Sequence, residues 1–386
     1  LWVSIPRLLF LPAALHHGRF DAVHEVVGQA LDAPGDGVFV EAYVSPPGER
    51  ARELTTPHFD CNRIFCYKYR LFCFFLKGHA WPSAASIVTF FSTKNRLSVL
   101  GFVAALSLVR AEVPDIRSVE QDLTIPRLET GQPDAGRRVK QTIPGYDQTG
   151  VYHVTYLPVD WVKCKSYPVL IEYAGNKYQG ANGDISTGRP EGSKMGYGIS
   201  GGRGFIWVCL PYLNVNGDDI ALTWWGDAEN RTAQPTLDYC RKAVPWICKK
   251  YGGDPDRVIL CGFSRGAIAC NYLGLYDNET AKLWRAFIPY SHYDGIHTWP
   301  YPASDRDSAL ARLKRLAKRP QFICHEITGF QLNLEATKKW IESTELNENI
   351  TFAETGFRNH NDAWLLRPSP ARKKLRVWLK DALHVP

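Results

Sequence analysis

The chain has 386 residues, 45% hydrophobic and 22% charged, enough apolar material for one large or two ordinary domains around a sizeable core. Its 46 basic and 39 acidic residues leave a net charge of +7 with no long basic block, so nothing marks a nucleic-acid surface. The ten cysteines show no zinc spacing and form a poor disulfide framework, and no metal or organic cofactor is implied.

Residues 1–96 show no clear hydrophobic period and stay unassigned. The aromatic-rich piece Ile64–Leu76 reads equally as a strand or as a core helix. Lys94-Asn95-Arg96 then precedes a 13-residue apolar run, Leu97–Val109, that ends in small residues. That is the pattern of a secretory signal peptide, and it is too short to span a bilayer comfortably. The expectation is a signal-like segment at 97–111 and a secreted or periplasmic product with no membrane anchor after cleavage. Residues 1–96 are then an upstream segment outside the native protein. The competing reading is a buried helix at 97–109 behind a real N-terminal domain.

From residue 112 to about 133 the chain is polar, carries prolines and reads as a loose lead-in. Strand signals follow at Arg138–Ile143 and Val151–Pro158, with Pro144-Gly145 as turn punctuation between them. Tyr167–Tyr173 and Gly204–Leu210 are short buried runs. Pro235–Tyr251 has helical length and stops at Gly252-Gly253. Further strands are predicted at Arg257–Cys261, Trp284–Pro289, Gln321–His325 and Ile350–Ala353. Helices are predicted at Ser308–Lys318, Leu334–Ser343 and Pro370–Leu383. Strands alternating with helices predict an α/β fold, a mostly parallel central sheet flanked by helices. The catalytic unit is read as 112–386, with its core over about 137–386. Cys209, Cys261 and Cys324 lie inside the strand runs and read as small core residues.

One motif carries chemistry. Gly262-Phe263-Ser264-Arg265-Gly266 interrupts an apolar run and opens a small-residue run, which is G-x-S-x-G in strand–turn–helix context. A nucleophilic serine must stand exposed on a sharp turn, and glycines on either side relieve the crossing of strand and helix. Ser264 is the candidate nucleophile. A serine hydroxyl needs a base to take its proton, usually a histidine oriented by a carboxylate.

On the elbow, the strand order and a late histidine, the chain from about 137 onward resembles the α/β-hydrolase superfamily and, within it, the secreted bacterial serine esterases. Ser291-His292-Tyr293-Asp294-Gly295 and Phe357–Trp364 are similar to strings in uncharacterised hydrolases of environmental bacteria. The resemblance implies the chain order serine, acid, histidine. His360, in a polar loop after the last strand, is then the base. Glu326, directly after Gln321–His325, stands near the usual acid position, although Gly329 occupies the place where an aspartate is more common. Asp294, one strand earlier, is where glucuronoyl esterases place the acid. Both stay open. The oxyanion donors are expected from the Arg265 amide and from Asn176 or Lys177 in the loop after Tyr173.

Trp224, Trp225, Tyr293, Trp299 and Trp364 fall in predicted loops at the strand ends and are candidates for substrate binding, with packing as the alternative. The Arg265 side chain serves either to bind an anionic substrate group or to pair with a carboxylate, the commoner use. The 295–320 stretch is a candidate small cap. The sequence therefore predicts a secreted serine esterase acting on small-molecule or carbohydrate esters. A prolyl-oligopeptidase-type peptidase and a non-catalytic carbohydrate-binding member of the fold are the alternatives.

Overall fold

The computed structural model describes residues 113–179, 185–226, 231–327 and 333–384, together with one antiparallel strand pair, Ile64–Cys66 with Tyr69–Leu71. The chain divides into two compact units, Leu1–Val109 and Arg110–Pro386. The strand pair belongs to the first unit and falls within the aromatic-rich piece at 64–76. The rest of 1–96 and the signal-like segment lie outside the described residues.

The second unit is built on a nine-stranded sheet. Its strands are β1 (Leu128–Glu129), β2 (Arg138–Gln141), β3 (His153–Tyr156), β4 (Tyr167–Tyr173), β5 (Ile206–Leu210), β6 (Gly253–Phe263), β7 (Ala286–Tyr290), β8 (Gln321–His325) and β9 (Ile350–Glu354). They lie in the order β9-β8-β7-β6-β4-β5-β3-β2-β1. From β9 across to β5 every neighbouring pair is parallel. β3 runs antiparallel to both β5 and β2, and β1 adds a short parallel edge that two residues are too few to announce by periodicity.

Side chains alternate across each strand and so feed two cores. In β6, Val258 and Leu260 enter one cluster while Ile259, Cys261 and Phe263 enter the other. The first core is closed by helices α2 (Gln234–Tyr251), α3 (Arg265–Tyr272), α4 (Arg306–Leu313) and α5 (Leu334–Glu342). The second is closed by α1 (Met195–Ser200) and α6 (Pro370–His384). Burying each large aliphatic side chain stabilises the fold by roughly 1.5–3 kcal/mol, which is why these strands read as continuous apolar runs.

Helix ends follow local chemistry. Asp305 caps α4 by accepting from the Ser308 amide, and Asn333 caps α5 through Ala336. The helix expected to reach Lys318 stops earlier. It tightens into a 3-10 turn at Lys314–Leu316, and Ala317 and Lys318 then turn left-handed. The seven cysteines of this unit are all free, and six of them are buried. Among the described residues no helix is long and apolar enough to cross a membrane.

The lead-in is not loose. Ile116 is buried and donates its amide to Asn359 Oδ1 at 2.7 Å, and the amides of Asp122 and Leu123 both reach the Leu366 carbonyl. Its polar look comes from surface residues, while Ile116, Val119, Leu123 and Ile125 pack on the core that α1 and α6 close.

β6 passes into α3 through a turn that only glycine permits. A Cβ on Gly262 would collide with the Gly266 carbonyl, and one on Gly266 with the Tyr173 carbonyl at the end of β4. Gly266→Ala is expected to cost about 1–3 kcal/mol through backbone overpacking. Urea unfolding checks this, and a midpoint equal to wild type would contradict the close approach.

Candidate active site

Ser264 stands between β6 and α3 at φ 55°, ψ −118°. Such a backbone costs of order 1–3 kcal/mol and persists only where its surroundings enforce it. Here the Ser264 amide donates to the Tyr290 carbonyl at 2.9 Å, and the Ser264 carbonyl accepts from Ala267 at 2.9 Å. The strand β7 and the first turn of α3 thus hold the serine from both sides.

His360 reaches the same point from the loop after β9. Its Nε2 lies 3.0 Å from Ser264 Oγ, and its Nδ1 lies 2.8 Å from Glu326 Oε1. The imidazole is flanked by the Phe263 ring at 4.7 Å and by the His292 ring at 5.4 Å. Burial pushes the Glu326 carboxyl up, but the hydrogen bond and charge of His360, helped by the Ser291 hydroxyl, outweigh it. Its pKa therefore lies below the usual carboxylate value.

Ser291 was not legible as a site residue. Its hydroxyl donates to Glu326 Oε1 at 2.9 Å and lies 2.6 Å from His360 Nδ1. It follows β7 directly and adopts φ 82°, a left-handed backbone that an L-residue rarely takes. Within the Ser291–Gly295 string the candidates were Tyr293 and Asp294, and it is the serine that opens it that meets the imidazole.

The loop bearing His360 is tied down on several sides. Tyr290 Oη donates to the Asn361 carbonyl at 3.2 Å. Lys194 Nζ bonds Asp362 Oδ1 at 2.8 Å. Lys194 in turn precedes α1, whose first amides converge on the buried Glu172: Lys194, Met195 and Gly196 donate at 3.2, 3.1 and 2.8 Å, and the Trp207 indole at 2.8 Å.

The loop after β4 closes over the elbow. A Cβ on Gly175 would lie 2.9 Å from the Phe263 ring and 3.3 Å from its carbonyl. Asn176 is half-buried beside this contact. Lys177 is exposed and begins a hairpin strand, Lys177–Gln179, paired with Ile185–Thr187. Of the two residues expected to supply a donor, Asn176 is therefore at the elbow and Lys177 is drawn into the hairpin.

The sheet order, the strand–serine–helix elbow and the histidine after the last strand are now all in place. The second unit has the α/β-hydrolase fold. Searches against family models and against curated proteins give no match. Among solved structures, a thermostable esterase is similar at 16% identity and a TM-score of 0.41, covering 63% of this chain and 62% of that one. An esterase from the Planctomycetes species Thermogutta terrifontis aligns at 13% identity and a TM-score of 0.36, covering 56% of this chain and 80% of that one. An acylaminoacyl peptidase from Pyrococcus horikoshii aligns at 13% identity and a TM-score of 0.41, covering 63% and 40%. The chain thus spans less than two thirds of the first esterase and of the peptidase.

The second acid candidate sits elsewhere in this α/β-hydrolase unit. Asp294 is buried, and its two carboxylate oxygens accept from Arg312 at 2.7 and 3.0 Å. Arg312 also donates to the Ala303 carbonyl and lies over the Tyr272 ring at 4.4 Å. Burial raises the Asp294 pKa, although the guanidinium opposes the shift. The structure brings Glu326 to the imidazole and gives Asp294 to Arg312, a pairing across 18 residues that no local pattern announces.

The five candidate aromatics divide in two. Trp224, Tyr293 and Trp364 are buried at 0%, 2% and 0% exposure, so their ring faces are taken up by packing. Tyr293 bonds Gln321, and Trp364 packs on Tyr290. Trp225 and Trp299 are only partly buried. The candidate cap lays Trp299 and Tyr301 across this region, with Tyr301 stacked on Trp225 at 4.7 Å. The Arg265 guanidinium lies 3.6 Å from the centre of the Trp299 ring and 5.5 Å from that of Trp225. The carboxylate partner considered for Arg265 is absent among the described residues.

Asp294→Ala would leave the Arg312 charge buried without its counter-ion, a loss of about 3–5 kcal/mol. Lys318→Ala, which removes an exposed pair with Glu348, is expected to cost under about 1 kcal/mol. Thermal unfolding of the two variants side by side checks the contrast, and equal shifts would contradict it.

Proposed function

We propose that the protein is a serine hydrolase that cleaves carboxylic esters through an acyl-enzyme. One observation carries the reading: a continuous hydrogen-bonded line runs from Ser264 Oγ through both nitrogens of His360 to Glu326 Oε1.

In this reading His360 Nε2 takes the Ser264 proton as Oγ attacks the ester carbonyl carbon. The carbonyl π electrons move to oxygen, giving a tetrahedral oxyanion. The Arg265 amide, at the N-terminus of α3, and the Asn176 amide are the proposed donors to that oxygen. Glu326 holds the ring so that Nδ1 carries its proton and Nε2 faces the serine, and it stabilises the imidazolium once formed. The imidazolium then protonates the departing alkoxide, leaving an acyl ester on Ser264. Water, deprotonated by His360, attacks that ester, and the carboxylic acid leaves as Ser264 recovers its proton. Ser291 fixes the acid side by donating to Glu326 while the oxygen of its hydroxyl receives part of the Nδ1–H bond.

Steady-state hydrolysis of para-nitrophenyl acetate tests the assignment. Ser264→Ala and His360→Ala are expected to lower kcat by at least about a thousandfold, and Glu326→Ala by about a thousand- to ten-thousandfold. Ser291→Ala, which removes one hydrogen bond to a charged group, is expected to lose about ten- to a hundredfold. Folded Asp294→Ala keeps a kcat far closer to wild type. Comparable kcat losses in the Asp294 and Glu326 variants would remove Glu326 from the line. Turnover of peptide anilides in preference to the acetate ester would move the assignment to a peptidase.

A further inference from the structure

We propose that the esters taken by this site carry a carboxylate, and that the side chain of Arg265 receives it; the inference rests on the reading of Ser264 as the nucleophile.

Among the described residues, every other buried or half-buried arginine donates a side-chain N–H to a protein acceptor. Arg241, Arg257, Arg312 and Arg372 use Thr280 or a carboxylate, Arg137 uses both a carboxylate and carbonyls, and Arg138, Arg285, Arg315, Arg319, Arg367 and Arg376 use backbone carbonyls. Arg265 makes no such bond. It is half-buried, and its guanidinium lies over the faces of Trp299 and Trp225. Burial lowers its pKa, and the opposing groups are the Tyr301 and Tyr212 hydroxyls rather than any carboxylate.

Stacking a guanidinium on indole is favourable but uses only the ring face of the ion. The N–H fork lies in the guanidinium plane and stays available. A carboxylate matches that fork with two parallel hydrogen bonds. A neutral ester would leave the half-desolvated charge uncompensated, so the site favours a substrate that brings its own anion. Tyr301 adds a second polar group. Its ring is stacked on Trp225, and its hydroxyl is buried with no hydrogen-bond partner among the described residues. Arg265 directly follows Ser264, so its guanidinium lies within one arginine side chain's length of the nucleophile's backbone, a span that several methylenes between ester and carboxylate can bridge.

The test compares para-nitrophenyl hemiesters of adipic and suberic acid with para-nitrophenyl esters of the straight-chain monoacids of equal carbon count. Rates are corrected with Ser264→Ala, and Ser264 competence is read separately by fluorophosphonate labelling. Wild type is expected to prefer the better hemiester over its neutral partner in kcat/KM. Arg265→Gln is expected to lower that preference by about ten- to a hundredfold, Arg265→Lys by less. High salt is expected to reduce the preference in wild type. A protein that labels but shows no preference for the hemiesters, or a preference that survives in Arg265→Gln, overturns the anion site alone. Folded protein that neither labels nor hydrolyses either ester overturns the Ser264 reading and this inference with it.

Discussion

Backbone packed on backbone at the elbow is the constraint on which the rest of the site depends. Gly262 lies against Gly266, and Gly266 lies against the end of β4. No side chain intervenes, so the exit direction of β6 and the entry direction of α3 are both set. Ser264 is left in a strained conformation, held by the carbonyl of Tyr290 in β7. Because β6 lies between β4 and β7, the same turn brings three loops together. The loop after β4 supplies Asn176, the loop after β7 supplies Ser291, and the turn itself supplies the serine.

The other half of the site is assembled from farther away. His360 sits on a loop anchored in the core by Phe357 and Trp364 on either side, and polar ties add to its placement. Ile116 in the lead-in bonds Asn359, Tyr290 bonds Asn361, and Lys194 pairs with Asp362. Behind Lys194, the Glu172 carboxyl is pushed up to about 7 by burial and by the Asp362 charge, against four donors. Glu172 fixes the start of α1, α1 fixes Lys194, and Lys194 holds the histidine loop.

The strands and long helices were legible because burial on both faces leaves continuous apolar runs, and because Gly252 marks a helix end. The serine and histidine were legible because a glycine-flanked turn and a position after the last strand are local signals. The acid was not decided by sequence. Asp294 and Glu326 both follow strands, and what separates them is Arg312, a partner whose approach depends on how α4 packs. Ser291 was hidden for a similar reason, since its role comes from a left-handed backbone angle that the letters do not record. Trp224 and Trp225 are adjacent in sequence, yet one is buried to 0% exposure and the other lies beside Arg265. Alternation across a fold decides that, not composition.

Everything in the proposed chemistry turns on whether His360 makes Ser264 nucleophilic. Labelling the folded protein with a fluorophosphonate and mapping the adduct by peptide mass spectrometry tests it most directly. One adduct is expected, on the peptide containing Ser264, formed rapidly in wild type and at least about a thousandfold more slowly in His360→Ala. An adduct on another residue, or equal labelling rates in the two proteins, would contradict it.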